Sequence, residues 1–122
     1  MQYEEFVQAV EDRAGIDEQR DAEQTAVVVL EELCNRLTTD EAFDLLSQLP
    51  ARLKTSVDVL PSGQPLPAGA FVDQVARRLE IAPDEARTRV RAVFATIRRA
   101  VSKGQFEDVL SELDPEYADL LS

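Results

Sequence analysis

The chain has 122 residues, with 24 acidic side chains, 13 basic ones and no histidine, for a formal charge of −11. That length suits one compact domain that folds without disulfides or metals, and 44% apolar with 30% charged residues is a globular composition rather than a disordered one. The surplus of acid repels nucleic acid and anionic membranes, which are bound through positive charge, and the longest apolar run, residues 26–30, is far too short to span a bilayer.

The opening residues, Met1-Gln2-Tyr3-Glu4-Glu5, are acidic and carry no apolar signal segment, so a cytoplasmic location is expected. Phe6, Val7 and Val10 share one helical face, and Gly15 closes that first helix as a left-handed C-terminal residue. Asp17 is the expected N-cap of a second helix running to about Leu37. Within it residues 26–30 are apolar almost all round, the pattern of a helix buried on several sides, so it is placed at the centre of the fold. Thr38 and Glu41 have the spacing of a capping box, and the third helix that follows carries Phe43, Leu46 and Leu49. Pro50 suits the first turn of a short fourth helix, where its missing amide leaves no bond unmade. Residues 61–69 then hold three prolines and two glycines, which cannot continue a helix.

Beyond that linker the series starts again. Phe6, Val7 and Val10 recur as Phe71, Val72 and Val75, an offset of 65. After a one-residue slip the offset is 64: Ala22 matches Ala86, and Leu30, Leu33 and Leu37 match Phe94, Ile97 and Val101. Asp44, Leu46, Ser47 and Leu49 return identically as Asp108, Leu110, Ser111 and Leu113. Ser102 with Gln105 repeats the capping box, and Asp114 with Pro115 opens the last short helix. Such a long in-register match indicates an internal duplication. No stretch alternates apolar and polar residues long enough to argue for a strand. The expected architecture is all-α: residues 1–60 and 70–122 form two tandem repeats of about four helices each, joined by the linker 61–69 into one bundle-like domain.

The two halves differ in charge. Residues 1–60 hold 14 acids and 5 bases, a net of −9, whereas residues 61–122 hold 10 acids and 8 bases, a net of −2. Seven of those eight bases are arginine, and the whole chain has only two lysines, Lys54 and Lys103. Excess acid with scarce lysine fits a protein adapted to high salt or a GC-rich coding sequence, and an ordinary acidic surface gives the same balance. Along residues 83–101, Ala86, Val90, Val93, Phe94, Ile97 and Val101 fill one arc of about 100°. Arg87, Arg91 and Arg98 share a neighbouring stripe, because spacings of four and seven residues return to nearly the same angle. The matching positions of the first half hold Glu23, Val27 and Cys34, so the second long helix is expected to be the more exposed and to pack against the first.

The paired units, the step Leu49-Pro50-Ala51-Arg52-Leu53 and the runs at residues 91–98 and 104–113 resemble a prokaryotic family described as domain of unknown function 2267. The resemblance covers almost the whole chain. It implies an all-helical duplicated domain and carries no particular activity, cofactor or site. The second Leu-Pro step is displaced here to Leu113-Asp114-Pro115, and the tryptophan that some members carry after the first step is absent.

Without histidine, a serine or cysteine nucleophile lacks its usual general base and no imidazole can bind zinc. Cys34 lies mid-helix between Leu33 and Asn35, where a buried and inert thiol is expected. The four glycines are isolated and form no phosphate loop. Carboxylates such as Glu31 with Glu32, or Asp40, Glu41 and Asp44, are ordinary helix-surface spacings, and Asp44 and Asp108 read as favouring the positive ends of their helices. No catalytic residue, metal site or cofactor is therefore expected. Arg87, Arg91 and Arg98 remain as a candidate interaction face. One reading pairs them with local acids such as Glu85, and another docks them on an acidic partner through their rigid forks. The expected function is a non-enzymatic helical interaction module that associates with itself or with an acidic protein. The alternative is a sensor holding an anionic or apolar small molecule between the repeats.

Overall fold

The computed structural model describes residues 1–121, and every regular element among them is helical. In chain order these are α1 (Tyr3–Ala14), α2 (Gln19–Arg36), α3 (Thr39–Ser47), α4 (Ala51–Ser56), α5 (Ala68–Leu79), α6 (Pro83–Ala100), α7 (Lys103–Ser111) and a closing 3-10 helix (Pro115–Leu120). Their lengths run 12, 18, 9 and 6 residues, then 12, 18, 9 and 6 again.

The apolar arcs find each other across the chain. α1 packs on α6 as well as on α2, and α5 packs on α2 as well as on α6. Phe6, Val7 and Val10 of α1 and Phe71 and Val75 of α5 enter one continuous core with Val29, Leu30, Val90, Val93 and Ile97. All six residues of the arc on α6 are buried. As expected, α6 is the more exposed of the two long helices, with seven residues in solvent against three on α2, and it packs against α2 as well as α1, α5, α7 and the 3-10 helix. The difference has a physical cause, since a run that is apolar all round is buried on several sides, whereas a one-sided arc leaves the opposite face to solvent.

The helix ends depart from the expected chemistry at several points. α2 begins after Glu18 with no side-chain cap, so Asp17 does not cap it. Thr38 stands at the N-cap of α3, but its amide and its hydroxyl both donate to Glu112, each at 2.8 Å. Ser102 does accept from the Gln105 amide at 3.1 Å, while its own amide donates to Gln48 at 2.8 Å. Glu41 and Gln105, the expected return partners, bond to each other instead. Long-range partners have thus taken the groups that a local box would use. On α3 the buried side chains are Ala42, Leu45 and Leu46, and Phe43 faces solvent at 51% exposure. Asp44 and Asp108 lie beyond the first turn and are exposed; what repeats is the hydroxyl of Ser47 or Ser111 donating back to the Asp carbonyl at 2.6 and 2.7 Å. Pro50 stands one position before α4, and Ala68 and Gly69 already belong to α5, so the linker's helix-free part ends at Pro67.

Two side-chain bonds join residues 64 positions apart. Arg89 donates to Thr25, and Gln105 donates to Glu41. Glu112 holds Thr38 just as Gln48 holds Ser102, the same two places exchanged.

α1 and α5 both end in a left-handed residue: Gly15 at φ 69° and Glu80 at φ 57°. Each donates its amide back to the preceding turn, to Glu11 in one case and to Ala76 and Arg77 in the other. Only glycine adopts this conformation without a Cβ clash. Glu80→Gly is therefore expected to stabilise the fold by about 0.5–1 kcal/mol. Gly15→Ala should cost about 1 kcal/mol through the backbone alone, since a Cβ there meets no atom within 4 Å. Urea midpoints at unchanged slope measure both.

Candidate functional site

α6 carries seven of its eighteen residues as charged side chains, and their placement follows from a step of roughly 100° per residue. The apolar arc through Ala86, Val90, Val93 and Ile97 turns inward, leaving Ala95 near the middle of the opposite face. Arg91, Arg98 and Arg99 flank Ala95 on that face. Arg13, from the last turn of α1, approaches from the side, because α1 lies alongside α6. Together they line an open groove of about 500 Å³ with Ala92 and Ala95 on its floor and Leu121 at one end. Among the described residues, four guanidinium groups and no acidic side chain line it, in a chain of charge −11.

Two of these arginines are positioned by their neighbours. Arg98 stands over the Phe106 ring, 5.7 Å from its centroid, and so is held by α7. Arg91 donates from Nε and Nη2 to the carbonyl of Asp119, at 3.1 and 2.9 Å. The groove thus unites Arg91 and Arg98 of the expected stripe and leaves out the half-buried Arg87. It adds Arg99 and Arg13. Arg99 was legible had the residues been grouped about Ala95 rather than by strict four-and-seven spacing. Arg13 was not, because its place depends on α1 crossing to α6.

Glu85, the expected local partner of the stripe, pairs with Arg89 instead, at 3.4 Å. Arg89 is buried within the core's edge, where it forks onto Asp21 at 2.8 and 3.0 Å and donates to Thr25 at 2.8 Å. Its signal in the sequence was its spacing, three residues after Ala86 and four before Val93, which sets it at the border of the apolar arc.

The corresponding face of α2 is covered. The helix-free residues after α4 run along it: the Asp58 amide donates to Glu31 at 2.7 Å, and the Leu60 amide to the Asn35 side chain at 3.2 Å. The Ser62 hydroxyl and the Gly63 amide continue the path, to the carbonyls of Asn35 and Leu37. Val57 and Val59, like Val27 of α2, are half-buried against the core. Arg78, from the last turn of α5, bridges Glu31 and Glu32 at 2.5 and 3.1 Å. Burial opposes the charge on Arg78, and its hydrogen bonds to the two carboxylates outweigh that and raise its pKa. Cys34 lies beneath, fully buried, and burial, with the Glu31 charge adding to it, pushes its thiol up to about 12. Such a thiol is protonated at neutral pH and a poor nucleophile.

Among the described residues, no helix is long and apolar enough to cross a membrane, and no three Cys, Asp or Glu side chains converge on a point that could hold a metal. No curated protein matches the sequence. The model of one family, described as uncharacterized conserved protein (DUF2267), matches residues 3–120, and the chain belongs to that family.

Proposed function

We propose that this chain is a non-enzymatic interaction module whose docking face is the arginine-lined groove on α6 and whose partner is an acidic protein chain. One observation carries the reading: four arginines gather around an apolar floor with no Asp or Glu side chain among the described lining residues, on a protein with nearly twice as many acids as bases. Elsewhere arginines are held in local ion pairs, as Arg78 and Arg89 are, whereas Arg13, Arg98 and Arg99 form none with a described residue. Arginine forks bind carboxylates in pairs and stack on apolar surface, which suits such a face to a partner's acids.

The module consists, on this reading, of two tandem four-helix units, residues 1–60 and 70–122, packed about an approximate two-fold axis. The matching element lengths support it, and so do the bonds between residues 64 apart, which fall where such an axis would pass. Duplication explains why one unit has a free groove where the other has a covered one. The setting is a cytoplasmic one, and neither nucleic acid nor a membrane is a partner, because the remaining surface is strongly acidic.

Binding of labelled poly-L-glutamate tests the proposal. It should bind the wild type, weaken as salt screens the charges, and bind Arg98→Glu/Arg99→Glu at least about tenfold more weakly, a change of about 1.4 kcal/mol. Unchanged binding by that variant would remove the groove from the proposal. Native mass, measured alongside by light scattering, tells whether the acid comes from a second copy of the chain.

A further inference from the structure

Resting on the docking role of the α6 groove, we infer that its occupant is an extended acidic peptide segment, lying on α6 as residues 57–66 lie on α2. The two faces correspond position by position. Ala95 stands where Glu31 stands on the other helix, Arg99 where Asn35 stands, and Arg13 where Arg78 stands. Leu121, at the end of the groove, corresponds to Val57, where the covering segment begins.

On α2 the segment is extended for a physical reason. Pro61, Pro65 and Pro67 forbid helix, and alternate residues Val57 and Val59 turn inward while Asp58 and Leu60 face out. Its amides are satisfied by the carboxylate of Glu31 and the amide oxygen of Asn35. Arg78 neutralises Glu31 from the far side.

On α6 the same frame has its charges inverted. The carboxylate is missing at Ala95, and Arg13 makes no ion pair with any described residue. Asn35, which accepts from the segment, is replaced by Arg99, which can only donate. A segment placed here must therefore bring acceptors: a carboxylate at the place of Glu31, facing Arg13, and a second acceptor toward Arg99. Alternating apolar and acidic residues satisfy both needs, with the apolar ones on Ala92 and Ala95. The extended form also suits an open groove along α6, since strand-like segments dock by alternate side chains.

The test uses the full chain and a fluorescein-labelled peptide of alternating valine and glutamate flanked by prolines, with binding read by anisotropy. A lactam-stapled helical peptide of the same charge and inorganic pyrophosphate serve as competitors. The extended peptide is expected to bind at least about tenfold more tightly than the helical one. Ala95→Glu should abolish that preference, because it supplies in place the carboxylate that the peptide would bring to Arg13. Arg13→Gln should weaken the extended peptide without touching the helix packing, and thermal melting of both variants confirms that they fold. Equal or tighter binding of the helical peptide, equal displacement by pyrophosphate, or an Ala95→Glu variant that binds as well as wild type would each overturn the extended-segment inference. If poly-L-glutamate still binds and still requires Arg98 and Arg99, the docking role stands without it. If nothing acidic binds, both fall.

Discussion

Phe71→Ala is expected to destabilise the fold by about 3–5 kcal/mol, read as a lower urea midpoint at unchanged slope. Phe71 has no solvent exposure, and its ring lies 5.6 Å from Tyr117, edge-on, and 5.8 Å from Phe94, tilted. Those partners belong to the closing 3-10 helix and to α6, so one side chain joins three elements. Tyr117 is itself fixed, because its hydroxyl donates to the Leu66 carbonyl at 2.6 Å. The void left by truncation could close only if α5 moved, and α5 is tied on its other side to α2 through Arg78. A loss of this size is a large share of the roughly 5–15 kcal/mol that holds a typical domain together. Phe43→Ala is the contrasting case: with half its surface in solvent it should change stability by less than about 0.5 kcal/mol. Equal losses at the two positions would contradict the placing of Phe71 at the junction.

The contrast between the two phenylalanines also shows what a sequence pattern can and cannot fix. Helix existence and the inward arcs were legible because they depend on spacing alone, as Ala86, Val90 and Ile97 illustrate. Phe43 was misread because its neighbours Ala42, Leu45 and Leu46 make an equally good stripe, and only the packing of α3 against α7 selects between them. The capping boxes formed only in part, Ser102 accepting from the Gln105 amide and Thr38 making no such bond, for a related reason. Thr38 and Ser102 had the right local spacing, but a competitor 74 or 54 residues away cannot be seen from within one turn. The groove was half legible. Arg91 and Arg98 lie on one helix and obey its period, whereas Arg13 joins them only through the crossing of α1 to α6. The covering of α2 by residues 57–66 was invisible too, since a proline-rich linker reads the same whether it packs on the core or hangs in solvent.

Arg89 offers the second large effect, and one whose size depends on which partner is removed. Its side chain is only 8% exposed, and its charge is balanced by Asp21, bidentate at 2.8 and 3.0 Å, with Glu85 at 3.4 Å and the Thr25 hydroxyl at 2.8 Å. Removing one partner of a buried pair leaves the other charge uncompensated, which costs about 3–5 kcal/mol when burial is complete. Asp21 is 41% exposed and Glu85 remains, so Asp21→Ala should fall near the lower end, about 2–3 kcal/mol. Arg89→Met should cost less, about 1–2 kcal/mol, because an unbranched apolar chain fills the same space and no cation is left stranded. The order of the two losses is the informative quantity: were Arg89→Met the worse variant, packing by the arginine stem, not charge balance, would govern the site. The pH dependence follows from Asp21. Hydrogen bonding from Arg89 lowers its pKa, opposed by partial burial and reinforced by the nearby positive charge. A carboxylate with a depressed native pKa contributes stability that is fully present above its unfolded value near 4 and is lost as pH falls through the native one. Wild type should therefore lose stability as pH falls below about 4 more steeply than Asp21→Asn does, a difference that thermal melting across the acid range resolves. Parallel acid limbs for the two proteins would mean that the Asp21–Arg89 fork contributes nothing to folding.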